Sequence, residues 1–353
     1  MDQDRCDANS GFFSSLIGNG RPLLALVGIC LVLAGGFALF LSASGHFLPH
    51  DVRFLGMDKD QLCGLSQCRI VHFMFHDRVS FGGALIAMGV LYLWLAQFPL
   101  RSGQPWAWWV FCVSGIAGFG SFLAYLGYGY LDSWHGVATL FLLPLYVTGM
   151  IVSWRKFGNR AGPASLLIAG AKLPFLTQFG VGRALLLATA GGMIVGGTII
   201  FCVGITHVFV PQDLRYIGVT SQELDLINPR LVPLIAHDRA GFGGAIATCG
   251  LMLLFCVWCG QPSRHLWQAI ALAGGAGFAT AIGIHPLIGY TDFGHLLPAY
   301  AGVVMFVIGM VLSYKPMHAV GERMVGMEGI APPRLPDSKS GPSAVRVEPH
   351  AHF

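Results

Sequence analysis

Apolar residues run in eight long blocks, at about 22–44, 79–98, 106–128, 134–153, 183–208, 240–259, 266–288 and 294–314, with short polar stretches between them. A block near twenty residues crosses roughly 30 Å of hydrocarbon as an α-helix. The pattern therefore predicts an all-α integral membrane fold with eight transmembrane helices. The first block stands where a signal peptide would. Its apolar core is too long for one, and Asp2, Asp4 and Asp7 precede it. Its counterpart, 183–208, lies mid-chain, so we read both as spans.

The pattern also repeats. His76-Asp77-Arg78-Val79-Ser80-Phe81-Gly82-Gly83 is answered by His237-Asp238-Arg239-Ala240-Gly241-Phe242-Gly243-Gly244. From His76 to Ala96 against His237 to Val257, nine of 21 positions are identical. Pro49-His50-Asp51-Val52-Arg53 is answered by Pro211-Gln212-Asp213-Leu214-Arg215, and Gly129-Tyr130-Leu131-Asp132-Ser133-Trp134-His135 by Gly289-Tyr290-Thr291-Asp292-Phe293-Gly294-His295. The offset stays between 159 and 162. These matches predict two tandem four-helix repeats. Four spans per unit is even, so both copies share one orientation and a pseudo-twofold along the membrane normal, unlike inverted-repeat transporters. The predicted organisation is a lead-in at 1–21, a first unit at 22–156, a linker at 157–182, a second unit at 183–315, and a disordered Pro- and Ser-rich tail at 316–353.

Each unit carries a long segment after its first span, at 45–75 and 209–236. Asp58 with Gln61, and Thr220 with Glu223, have capping-box spacing, so a short helix should start after each. The apolar runs Ile70–Phe75 and Leu231–Ala236 precede the His-Asp-Arg triplets. They either lie at the interface or extend the following helix outward.

Composition agrees with the pattern. The chain is 54% hydrophobic and 11% charged, where a soluble domain is roughly 25% charged. The net charge is only +4 with no basic stripe, which excludes a nucleic-acid partner and leaves the lipid bilayer. If the N-terminus is cytoplasmic, the inner segments hold 14 of 21 basic residues, among them Arg155, Lys156, Arg160 and Lys172. The outer segments hold 7 basic against 10 acidic residues. That positive-inside division places both termini in the cytoplasm of a bacterial cell, the protein lying in its inner membrane. All tryptophans but Trp134 then fall near the inner interface.

The candidate chemistry is the set common to both copies. In unit one it is His76, Asp77, Arg78, Asp132 and His135, supported by Asp51, Arg53 and Tyr130. In unit two it is His237, Asp238, Arg239, Asp292 and His295, supported by Asp213, Arg215 and Tyr290. All sit at the outer helix ends. His46, His50, His72, His207 and His285 share that side but lack aligned histidine partners. His76 with His135, and His237 with His295, have the placement to hold a haem iron axially. With Asp132 or Asp292 they suit a divalent metal. Arg78 and Arg239 suit an anionic or headgroup ligand, and are expected at the rim of the site, paired with Asp51 or Asp213. The structural reading makes Asp132 and Asp292 helix N-caps, and pairs Asp77 and Asp238 with Arg53 and Arg215.

Gly82, Gly83, Gly89, Gly115, Gly118, Gly192 and Gly196 have the spacing of close helix contacts in lipid. Cys63 and Cys68 can form a disulfide only if Gly64 or Ser66 breaks the helix between them. Cys256-Val257-Trp258-Cys259 is expected to be core. The four-helix unit, with a charged residue and paired glycines opening its second span, resembles the DoxX-like four-helix membrane units over about twenty residues per unit. The whole chain looks like a bacterial polytopic membrane protein. That resemblance implies no catalytic residue. The reading is a duplicated outer-face site for a metal, haem or small polar ligand, with a redox role open to it. A transporter or channel with its path between the repeats is the rival, as is a purely structural membrane protein.

Overall fold

Among the described residues, the computed structural model has the twelve α-helices given below and the 3-10 turn Pro163–Leu167, with no strand. Residues 17–123, 127, 130, 133–158, 161–171 and 176–328 are described, apart from the side chains of Trp134, His135 and 320–328. The first half contains α1 (Arg21–Ser44), α2 (Pro49–Leu55), α3 (Lys59–Leu65), α4 (Arg69–Gln97), α5 (Pro105–Leu123) and α6 (Ser133–Lys156). The second contains α7 (Gln178–Gly204), α8 (Pro211–Ile217), α9 (Ser221–Ile227), α10 (Leu231–Cys259), α11 (Arg264–Ile288) and α12 (Phe293–Glu328). Eight of these, all but the four short ones, are long and apolar enough to cross a membrane. The protein is a multi-pass membrane protein whose apolar helices contact lipid.

Burial ranks the helices. Two-thirds of the apolar stretch of α4 and of α10 is buried, against a third or less for the other six. These two form the centre and touch each other. The halves also interlock, because α11 packs on α4 and α5 packs on α10. Small residues permit this approach. A Cβ on Gly83 would meet the side chain of Thr280, and one on Gly244 would meet Ser121. Likewise α1 and α4 meet at Gly35 and Gly82, while α7 and α10 meet at Gly197 and Gly243.

The short helices α2, α3, α8 and α9 cap one end of the bundle. Their entries follow local chemistry. The Asp58 side chain accepts from Gln61 N at 2.8 Å while Gln61 Oε1 accepts from Asp58 N at 2.9 Å. Thr220 and Glu223 make the same reciprocal pair. The α2 and α8 helices, which the pattern did not predict, each open on a proline at the first turn, where no N–H is needed. Beneath the cap a second core of Leu62, Ile70, Phe73, Leu224, Leu231 and Leu234 is wholly buried. Each such apolar side chain contributes about 1.5–3 kcal/mol.

Three points of the sequence reading are decided in the structure. First, of the two alternatives for Ile70–Phe75 and Leu231–Ala236, the runs extend the following helices outward, as the opening turns of α4 and α10. At 29 residues each, these helices are about 43 Å long at 1.5 Å per residue, longer than the hydrocarbon layer. The His-Asp-Arg triplets therefore sit two turns inside the helix, at the edge of the apolar zone. Second, α12 continues through Pro316 to Glu328, where a disordered tail was expected from 316; Met317, His318 and Ala319 extend its helical run. Third, α3 stops at Leu65, and Gln67 and Cys68 take positive φ. That break brings Cys63 and Cys68 together as a disulfide.

At the opposite end, buried Arg183 closes α10. Its guanidinium donates to the carbonyls of Val257 (2.9 Å) and Trp258 (2.5 Å), in the last turn where a helix leaves carbonyls without intrahelical partners, and to the linker carbonyl of Ala171 (2.9 Å). Cys256 and Cys259 are buried free thiols there.

Candidate functional site: a histidine triad beside an interlocked ion network

Just below the cap, each half contributes an aspartate from its short helix and a His-Asp-Arg triplet from its central span. Asp51 is the third residue of α2, and Asp213 the third of α8. Each accepts a hydrogen bond from the backbone N–H before its helix, Leu48 N at 3.3 Å and Val210 N at 2.8 Å. A tyrosine from the far loop reaches the other oxygen: Tyr130 donates to Asp51 at 2.5 Å, and Tyr290 to Asp213 at 2.8 Å. Burial and then the Asp213 carboxylate hold the Tyr290 phenol well above its ordinary range, so it stays a donor. Burial also pushes Tyr216, stacked on Tyr290, up to about 12.

The arginines join the halves. Arg78 donates to Asp51 of its own half at 2.6 Å and to Asp238 of the other half at 2.8 Å. Arg239 donates to Asp213 of its own half and faces Asp77 of the other at 3.4 Å. It also donates to the Val208 carbonyl at 3.0 Å and lies 4.8 Å over the Phe73 ring. Asp51, Asp77 and Asp213 are at most 1% exposed, and Arg239 is 4% exposed. Charges so placed must be paired to be tolerated. The expected pairing of Asp77 and Asp238 with Arg53 and Arg215 is not found. Arg53 is exposed on α2, and Arg215 stands 3.7 Å from half-exposed Asp292. Both point away from the buried network because their helices turn only one face inward.

The histidines make a different constellation from the one the repeats suggest. His76, His285 and His295 come together, with one ligand nitrogen of each within 4.8 Å of the others. His76 Nε2 lies 3.0 Å from His285 Nε2, and the His76 and His295 rings are 5.8 Å apart. His76 Nδ1 contacts Asp77 Oδ1 at 2.8 Å. A carboxylate on Nδ1 fixes the tautomer and leaves Nε2 facing the other imidazoles. His76 and His285 are buried, and His295 is half-buried. Asp292 is not in the cluster: its Oδ1 accepts from His295 N at 2.8 Å as the cap of α12. His237 lies elsewhere, its ring 5.1 Å from Tyr130 and its Nε2 3.9 Å from Asp238. The expected partners His237 and His295 are thus replaced by His76 and His295, from different halves, because α11 packs on α4. Asp132 and the His135 side chain lie outside the described residues.

Sequence reasoning set His285 aside because no histidine aligns with it. The missed signal was its position: an ionisable residue within an apolar span is rare and faces the protein interior.

Fold and site together define a multi-pass helical membrane protein with an inter-half ion network and an adjoining cluster of three imidazoles. No protein-family model matches the chain, and no curated protein or solved structure does either.

Proposed function

We propose that the protein is an inner-membrane protein built of two tandem four-helix units of one orientation, binding a first-row transition-metal ion near its outer face through His76, His285 and His295. The observation that carries this reading is the convergence of three imidazole nitrogens within 4.8 Å. Metal–imidazole bonds of about 2.0–2.1 Å put two ligand nitrogens about 3–3.4 Å apart. The 3.0 Å between His76 Nε2 and His285 Nε2 already meets that, and His295 closes by a rotamer adjustment on the order of 1 Å. Asp77 behind His76 is the outer-shell carboxylate such ligands use.

Imidazole ligands suit zinc, copper and iron. Three protein ligands leave one position open, the arrangement of sites that exchange or activate a bound molecule. Copper or iron would add one-electron chemistry; zinc would not. Haem fits poorly, since nitrogens 3.0 Å apart in direct contact leave no room for a macrocycle between them. The repeat arrangement is supported by the contacts that recur at equivalent positions, Gly83 on Thr280 and Gly244 on Ser121. The division of basic residues supports cytoplasmic termini and an outward cap. A transport path between the halves has less support, as that seam is filled by these contacts and by Cys249 Sγ on the Ala84 carbonyl at 3.3 Å.

The test is cobalt substitution. Purified protein should bind a single Co2+ per chain with tetrahedral-type visible absorption, and His285→Leu should lose it while eluting as the wild type does. Failure of the wild type to retain the ion at micromolar concentration, or equal retention by His285→Leu, would overturn the assignment. Tags at residues 1 and 353 should both be inaccessible from outside, with 51–69 and 213–230 accessible.

A further inference from the structure

A second feature lies mainly in the first half, closed on one side by α10 of the second. A cavity of about 480 Å³ runs between α1, α4, α5, α6 and α10, within the 300–1,000 Å³ range of small-molecule sites. Its walls are apolar, with Leu31, Phe37, Leu85, Met88 and Phe119 among them. Asp51, Arg78 and Asp238 form its polar end. Tyr92 and Ser114 mark its deep end, fourteen residues further along α4 and so about 21 Å away. Tyr92 and Ser114 bond each other at 2.9 Å and demand nothing of an occupant. Leu33 and Phe37 of α1, at 65% and 45% exposure, put the cavity's flank on the lipid-facing side.

From this geometry we infer that the cavity holds a single-chain membrane amphiphile whose head is neutral and bears a hydroxyl. The shape supplies the tail: the cavity is long and thin, and an apolar void beside lipid forfeits dispersion contacts until a hydrocarbon chain fills it. The charges supply the head. Arg78 is already divided between Asp51 and Asp238, so the polar end carries one net negative charge when both carboxylates are ionised. An anionic head is repelled there. Asp51 takes hydrogen bonds on both oxygens, from Tyr130 on Oδ1 and from Arg78 and Leu48 N on Oδ2. Asp238 gives only Oδ2 to Arg78, and its Oδ1 stands 3.9 Å from His237 Nε2, beyond hydrogen-bond reach. That oxygen is an acceptor awaiting a donor, and a hydroxyl supplies one. The second half differs at the corresponding positions, where Leu253, Ala273 and Phe306 replace Tyr92, Ser114 and Tyr146 and Phe306 packs against Gly274. The site is therefore not duplicated.

The experiment compares two probes that share a chain. Hexadecanol and hexadecanoate are added to the full-length protein in mild detergent and thermal denaturation is followed. Hexadecanol should raise the midpoint and bind at least about tenfold more tightly than hexadecanoate, a difference of about 1.4 kcal/mol. Ala34→Trp and Ala138→Phe, which fill the cavity from α1 and α6, should abolish the response while keeping wild-type elution. Solvent extraction and mass spectrometry of the untreated protein should yield one neutral hydroxyl-bearing amphiphile that the filled variants lack, and its mass separates a lipid-derived alcohol from a phenolic carrier. Equal binding of both probes, an undiminished response in the filled variants, or phospholipid alone in the wild-type extract would overturn the inference. None of these readings involves the imidazole cluster, so failure here is distinct from failure of the metal assignment.

Discussion

Replacing Arg239 with methionine tests whether the ion network holds the halves together. Its guanidinium meets Asp213 from its own half, Asp77 from the other, and the Val208 carbonyl. Removing it strands two carboxylates that are 0% and 1% exposed. Breaking one buried pair by deleting a partner costs about 3–5 kcal/mol. Here the remaining bonds limit the loss: Asp213 keeps Tyr290 and Val210 N, and Asp77 keeps His76. We expect the lower part of that range for the network as a whole. At roughly 2 °C per kcal/mol for a chain of this size, the apparent midpoint should fall by about 6–8 °C. A thiol-reactive fluorophore provides the assay, since Cys249, Cys256 and Cys259 are buried until the bundle opens. Arg215→Met is the control: that arginine's side chain is 69% exposed, 3.7 Å from its partner, and such surface pairs contribute about 0–1 kcal/mol. Combining Arg239→Met with Asp77→Asn and Asp213→Asn should recover most of the loss, because no unpaired buried charge remains. If Arg239→Met falls no further than Arg215→Met, the network does not bear the inter-half contact and the reasoning fails.

Three further outcomes are expected. Gly83→Ala should destabilise by about 1–3 kcal/mol through overpacking on Thr280, and Thr280→Ala should rescue it; additive effects of the two changes would deny the contact. Alkylation without reductant followed by tryptic mapping should recover the peptide 60–69, which holds both Cys63 and Cys68, with neither thiol modified, and alkylation of both in non-reduced protein would contradict the disulfide. The hydrogen bonds from Thr220 hold the Glu223 carboxyl below its ordinary range. A depressed folded value means that the stabilisation is present above about pH 4.3, the ordinary glutamate value, and is lost as pH falls through the folded one. The deficit of Glu223→Ala seen at pH 7 should therefore narrow at pH 3, and a deficit independent of pH would count against the capping role.

Much of the fold was legible because its signals are long and local. Eight apolar blocks suffice to find eight spans, and Asp58/Gln61 with Thr220/Glu223 suffice to start α3 and α9. The opening turns of α4 and α10 were ambiguous, since a six-residue apolar run reads alike as an interfacial segment or as helix. Pairing was the illegible part. Nothing in a sequence says that α11 lies on α4, so His76 could not be matched with His285, 209 residues away. Arg78 and Arg239 were legible as network members, but their second partners, Asp238 and Asp77, depend on that same interlock.

This interlock changes what a repeated motif signifies. Asp51/Asp213, Arg78/Arg239 and Tyr130/Tyr290 recur at equivalent positions and make equivalent contacts. Each arginine needs an aspartate from the opposite half, so neither copy can drop its triplet without stranding a charge in the other. Mutual burial alone is enough to preserve both triplets, whatever either binds. Ligand chemistry is under no such constraint, because one site serves a chain as well as two. It is therefore free to draw on residues that differ between the halves. His285 stands in the second half without an aligned histidine in the first, and Tyr92 and Ser114 stand in the first where the second has Leu253 and Ala273. Both candidate sites mix residues that match between the halves with residues that do not: His76, Asp77 and His295 with His285 in one, Arg78 and Asp238 with Tyr92 and Ser114 in the other. Restoring symmetry is the decisive perturbation. Leu253→Tyr with Ala273→Ser in the second half should leave folding intact and create no second hexadecanol response, because Phe306 still occupies the space against Gly274. A second response with Phe306 in place would show that Phe306 does not close the second half, and that account of the asymmetry would fail.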